Sequence, residues 1–281
     1  MAAIALGIGA ALSWGFADFL GGVRTKALTL ALVLLVSQFT ALVAIAVVIA
    51  VGQEDVPTFA AVAPAIGAGV AQLVGIAALY RALAIGTMSV ISPISASGAA
   101  ALPVIVGIVT GERPAALQYA GMAAAFVGVV LATRAPDAPG GQDASREALI
   151  LSAVAALGFG GFFIGMDAAV EDAGPYWSLF VARVAACAAL GATLLALRPK
   201  LGLERGALPT LALIGVLDVG ANAFFALGTD TGLLSVVSVL ASLYPVATVV
   251  LARALLHERL VPLQTAGVAV ALAGVGMIAA G

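Results

Sequence analysis

Residues Gly86–Val129 occur twice in this chain. Displaced by about 146 positions, they fall without a gap on Gly232–Val275. Gly86 pairs with Gly232, Ser89 with Ser235, Ser92 with Ser238, and Glu112-Arg113 with Glu258-Arg259. Gln118 pairs with Gln264, Gly121 with Gly267, and Gly128-Val129 with Gly274-Val275. Roughly a third of the paired positions are identical, and most of the others exchange one apolar residue for another. Shared apolar composition yields Ala and Val matches by chance, but not an aligned Glu-Arg, Gln and pair of glycines. Whatever one half of the chain folds into, the other half must fold into as well.

Of the 281 residues, 63% are hydrophobic and 9% charged, against about 25% charged in soluble domains. A water-soluble fold of this size has no interior large enough for that apolar surface, so the surplus faces lipid. The net charge of −2 gives no reason to expect a nucleic-acid partner. The single cysteine, Cys187, lies in an apolar run and reads as a small packing residue. The first apolar run, Ala2–Gly22, lacks a basic leading segment and is long enough to span, so it reads as a membrane helix rather than a cleaved signal.

A hydrocarbon core of about 30 Å needs roughly 20 apolar residues per helix. Breaks at charged, Gly and Pro clusters then predict ten spans: 2–22, 28–51, 59–81, 88–109, 115–134, 148–166, 175–197, 208–228, 233–254 and 261–280. The fold class is an all-α integral membrane protein. Residues 1–134 form a first five-helix repeat, 135–147 a Pro-, Gly- and charge-rich linker, and 148–281 a second five-helix repeat. Ala11–Gly15 (ALSWG) also resembles Ala156–Gly160 (ALGFG), displaced by 145. Five is odd, so the second repeat enters the membrane from the opposite side and the repeats are inverted.

Lysines and arginines orient the array. Arg24, Lys26, Arg81, Arg134, Arg146, Arg198, Lys200, Arg205, Arg253 and Arg259 fall in the odd-numbered connections, and only Arg113 falls in an even one. The odd connections are therefore expected in the cytoplasm and both termini outside it.

Polar residues inside spans cost free energy and mark candidate function. Asp218 lies near the middle of the eighth span with Asn222 one helical turn further along, and Arg183 in the seventh span is its candidate partner. Asp218 either faces a cavity or forms a buried pair that only holds helices together. Gln72 is the repeat mate of Asp218, and Trp14 and Phe159 are mates in the first and sixth spans. Asp18 reads more simply as an interfacial residue that reaches water or pairs with Arg24, and Tyr80 as a member of the interfacial aromatic belt. Pro93 and Pro103 in the fourth span and Pro245 in the ninth each remove a helical hydrogen bond, among Ser92, Ser95 and Ser97 in one half and Ser238, Ser242 and Tyr244 in the other. Interrupted helices at corresponding places in inverted halves point to the site and hinges of a transporter. Glu112-Arg113-Pro114 opens the fifth span, where a helix N-terminus favours a carboxylate. No phosphate-cradling glycine loop is present, and His257 has no second metal ligand in sequence reach. Neither a metal nor another cofactor is expected, and no enzyme activity.

The doubled motif GERPAALQYAGMAAAFVGV (111–129) and HERLVPLQTAGVAVALAGV (257–275), preceded by ALYRALAIGTMSVISPISA (78–96), resembles the ten-helix EamA-type branch of the drug/metabolite transporter superfamily. The Trp14-Gly15 helix and Arg183 add to the likeness, which covers nearly the whole chain. It implies secondary transport of a small metabolite by alternating access, often export, in a bacterial inner membrane and without ATP. It also implies a central substrate cavity that takes in Trp14, Gln72, Ser92, Phe159, Asp218, Asn222 and Ser238. Asp218 and Arg183 become candidates for coupling to protons, and Pro93, Pro103 and Pro245 for hinges. Two departures stand out: Ser37 occupies the position equivalent to Arg183, and His257 replaces the glycine before the second Glu-Arg. The competing expectation is a membrane-embedded structural or assembly subunit that transports nothing.

Overall fold

In lipid each backbone N–H and C=O must find its partner within the protein, so long apolar runs become helices. In the computed structural model they do. It describes residues 1–25, 27–52, 55–85, 88–133, 146–202, 204–248 and 261–281, without the side chains of 88–90, 92, 93, 132 and 133. The described helices are α1 (Ala2–Thr25), α2 (Leu30–Gly52), α3 (Phe59–Ile85), α4 (Met88–Thr110), α5 (Ala116–Thr133), α6 (Arg146–Leu197), α7 (Leu208–Thr231), α8 (Leu234–Ala241) and α9 (Pro262–Ala280). A short 3₁₀ turn, Arg205–Ala207, leads into α7. No strand occurs among the described residues. Helices α1, α2, α3, α6, α9 and the 3₁₀-α7 unit are long and apolar enough to cross a bilayer. The protein is an all-helical, multi-pass membrane protein.

The acidic connection between the sixth and seventh expected spans differs from expectation. Asp167–Ala173 continues the helix instead of forming a loop, and α6 runs for 52 residues in two arms. Its break is confined to Gly174, whose φ of 71° favours glycine. Pro175 then opens the second arm, where its missing N–H costs nothing. The ninth expected span breaks inside itself. Helix α8 ends at Ala241, a turn covers Ser242 and Leu243, and helix resumes over 244–248. Pro245 lies two residues past Leu243, in the first turn of the resumed helix. In contrast, α4 runs unbroken past Pro103, so the two prolines do not bend their helices alike. Residues 249–254 of the ninth span, the whole of 135–145 in the linker, and His257, Glu258 and Arg259 lie outside the described residues.

Backbones approach most closely where side chains are smallest. Helix α3 packs along α6, with Gly158 and Gly165 against the Ala71 and Pro64 carbonyls. The small pairs Ala71/Gly75 and Gly161/Gly165 both serve this contact. Helix α5 packs along α9, where Gly128 faces Ala271 and Gly274 faces Ala125. Helix α1 packs along α7 and α8, with Gly15 pressed against Tyr244 and Ala247. The equivalent glycine of α6, Gly160, presses against Ala99 and Leu102 of α4.

The shared Gln118 and Gln264 have the same task. Gln118 Oε1 accepts the Ala115 N–H at 2.8 Å, and Gln264 Oε1 accepts the Val261 N–H at 3.1 Å. Each glutamine sits in the first turn of its helix and reaches back to satisfy a donor that has no intrahelical partner.

Candidate functional site

The polar residues that the spans bury meet near the centre of the bundle. On α7, Asp218 and Asn222 are four residues apart and share a face, and both are buried. Arg183, on the second arm of α6, holds Asp218: Nη2 lies 2.7 Å from Oδ2. Its Nη1 donates to Gln38 Oε1 of α2 at 2.6 Å. The indole Nε1 of Trp14 donates to Asp218 Oδ1 at 3.2 Å. Both Asp218 oxygens are thus engaged, one by a cation and one by a neutral donor. One turn away, Gln72 Nε2 donates to Asn222 Oδ1 at 2.9 Å, joining α3 to α7.

Asp218 is therefore both halves of the alternative posed by the sequence. It forms a buried pair with Arg183, and it also lines a cavity together with Trp14, Asp18, Gln72, Ile76, Phe159, Phe163 and Tyr244. The cavity holds about 20 Å³ of free space, room for about one or two water molecules. Three helices each contribute a pair of residues one turn apart: Trp14 and Asp18 from α1, Gln72 and Ile76 from α3, Phe159 and Phe163 from α6. At a displacement of 145, Trp14 and Asp18 are the counterparts of Phe159 and Phe163. At 146, Gln72 and Ile76 are the counterparts of Asp218 and Asn222. The cavity is built at repeat-related positions but with unlike side chains, and its carboxylates stand opposite Phe163 and Gln72 in the repeat.

An aromatic cluster backs this wall. Phe163 stacks on Phe225 with centroids 4.5 Å apart, and Trp14 lies 5.7 Å from Phe163. Such contacts fix the indole that serves Asp218.

The remaining sequence candidates fall elsewhere. Asn222 sits behind Gln72 and does not line the cavity. Ser238 is buried in α8, its hydroxyl without a hydrogen-bond partner among the described residues. Pro103 is buried within α4. The side chains of Ser92 and Pro93 lie outside the described residues.

Asp18 and Tyr80 need correction. Asp18 lines the cavity, and Arg24, its expected partner, instead donates to Thr210 Oγ1 at 2.9 Å. Tyr80 is buried, not part of an interfacial belt; its hydroxyl lies over Gly21 and alongside Asp18. Glu112 also departs from expectation. Rather than serving the helix it precedes, its carboxylate accepts the Ser235 N–H at the start of α8, at 3.1 and 3.4 Å. Reading one turn beyond Trp14 and its mate Phe159 would have found both Asp18 and Phe163. Tyr244 carried no such signal, because its mate is Gly98.

Comparison with known proteins bears on the family. The chain resembles in fold a protein of known crystal structure, with a TM-score of 0.76 at 15% identity, over 98% of this chain and 95% of that one. No curated protein matches the sequence. The model of the EamA-like transporter family matches residues 146–280, which hold Phe159, Phe163, Arg183, Asp218 and Tyr244. Over residues 146–280 the chain is therefore similar to the EamA-like transporter family, to which the doubled motif also points.

Proposed function

We propose that this protein is a secondary transporter that moves a small polar or zwitterionic metabolite across a bacterial inner membrane, outward, by alternating access. The carrying observation is the cavity, which draws on α1 and α3 from one half and on α6 and α7 from the other at repeat-related positions. A site between two equivalent units lets one rock against the other and changes the side to which the site opens. In this reading the halves, 1–134 and 148–281, are inverted five-helix repeats. The matched glycine contacts, Gly15 on the helical segment 244–248 and Gly160 on α4, support it. Both termini are extracytoplasmic, and a reporter active only in the cytoplasm, fused to Gly281, stays silent; a strong signal sinks that topology.

With about 20 Å³ of free space, the cavity admits no metabolite as it stands, so substrate enters only after the helices part. Trp14, Gln72, Phe159 and Asp218 contact it, Asn222, Ser92 and Ser238 lie close to its path, and the segments around Pro93, Pro103 and Pro245 yield during opening. Coupling to protons rests on a carboxylate of the cavity. Asp218 shares its charge with Arg183 and Asp18 does not, so replacing each by Asn and measuring the response to a pH gradient separates them. The test of transport itself is counterflow in proteoliposomes with a panel of amino acids, amines, sugars and nucleosides. Accumulation of one labelled compound, abolished by excess of the same compound, is expected. No counterflow with any member leaves a structural subunit as the better reading.

A further inference from the structure

We infer that the cavity takes the ammonium group of an organic cation on Asp18, so that its substrates are protonated amines with an apolar body rather than zwitterions or anions. The inference rests on the transport reading and narrows it.

It starts from a count of charge. The charged groups that face one another here are Asp18 on α1, Asp218 on α7 and Arg183 on α6. Arg183 is engaged by Asp218 on one nitrogen and by Gln38 on another. No other basic side chain pairs with either carboxylate among the described residues, which leaves Asp18 as the carboxyl without a basic partner. The groups packed around Asp18 are Tyr80 and Gln72 of α3, Trp14 of its own helix, Asp218 of α7 and Tyr244 beyond α8. None carries a positive charge. A carboxylate at such depth is costly unless a cation or a proton joins it.

The rest of the wall selects the kind of cation. Trp14, Phe159, Phe163 and Tyr244 line the cavity, and aromatic rings attract organic ammonium groups. The Tyr244 hydroxyl is a second pointer: the residue is 6% exposed, lines the cavity, and has no hydrogen-bond partner among the described residues. It is positioned to accept from an ammonium that Asp18 holds. A substrate carboxylate finds no such welcome, since the one guanidinium is already spent on Asp218.

Calorimetry on the purified full-length chain in detergent tests this, with 2-phenylethylammonium as the probe. We expect saturable binding, little binding of the uncharged isostere 2-phenylethanol, and exclusion of 3-phenylpropionate. Asp18→Asn lowers the affinity about thirtyfold or more, as removal of one partner of a buried charge pair does, and Asp18→Glu retains part of it. If wild type does not bind the ammonium, or binds 2-phenylethanol equally well, the inference is wrong; this comparison needs no variant and survives misfolding of Asp18→Asn. An unchanged affinity in a folded Asp18→Asn variant also overturns it. Proteoliposome uptake then separates the two readings. Uptake of phenylalanine but not of the amine removes the inference and keeps the transporter, whereas Asp18-dependent binding without uptake of any compound keeps the inference and removes the transporter.

Discussion

Arg183 and Asp218 sit 2.7 Å apart, both buried, on helices whose equivalents in the other half carry Ser37 and Gln72. The pair has no counterpart across the repeat. One half of the bundle holds a fixed ion pair where the other has only neutral groups.

Breaking that pair from one side leaves a buried charge alone. Arg183→Met is expected to destabilise the protein by about 3–5 kcal/mol, while Arg183→Met combined with Asp218→Leu recovers most of the loss. Thermal unfolding in detergent measures both. A single variant as stable as wild type would show that water reaches the pair.

Glu112 ties the α4–α5 connection to the first turn of α8 by accepting the Ser235 N–H. Glu112→Ala removes the cap, with an expected cost of about 0.5–2 kcal/mol. Amide hydrogen exchange should accelerate at Ser235 and its neighbours and remain unchanged in α1. Unaltered exchange at Ser235 would mean that the carboxylate contributes nothing there.

The contact between α5 and α9 depends on the absence of side chains. A methyl group on Gly128 would overlap the Ala271 backbone, and one on Gly274 would press on the Ala125 nitrogen and the Gly121 carbonyl. Gly128→Val and Gly274→Val should each cost about 1–3 kcal/mol or more through overpacking. Gly276 has open space at the same position on its own backbone, so Gly276→Ala should be neutral or raise stability by up to about 1 kcal/mol. Equal effects at Gly274 and Gly276 would refute the close approach.

Gln118→Ala and Gln264→Ala each leave one first-turn N–H without its acceptor. Each should lower stability by about 0.5–1.5 kcal/mol, and the two effects should add, because the residues share no partner. A cost at one position and none at the other would contradict their common role.

These glutamines show what a duplicated sequence reveals. Their alignment marked the duplication and said nothing of their task, which the capping geometry now supplies in both halves. The apolar runs likewise forecast most helices, because lipid leaves the backbone no alternative. What escaped was set by neighbours distant in sequence. The carboxylate of Asp18 looked interfacial because Arg24 is near it along the chain, yet Arg24 turns to Thr210 on α7. The acidic stretch after Met166 looked like a loop because charge normally ends a span. Asp167, Glu171 and Asp172 are all compatible with helix, so the turn waited for Gly174. Tyr244 joined the cavity through the turn at Ser242 and Leu243; Pro245 announced a break there, but not which side chain it would bring inward.

The seam between α5 and α9 reads the same from either side. Ala125 and Ala271 are 146 residues apart, as are Gly128 and Gly274, and each glycine faces the alanine of the other helix. A surface that meets its own copy is the mark of an isologous interface, the kind that joins identical subunits. Severed anywhere between Thr133 and Arg146, the two pieces still carry the whole seam, one face each.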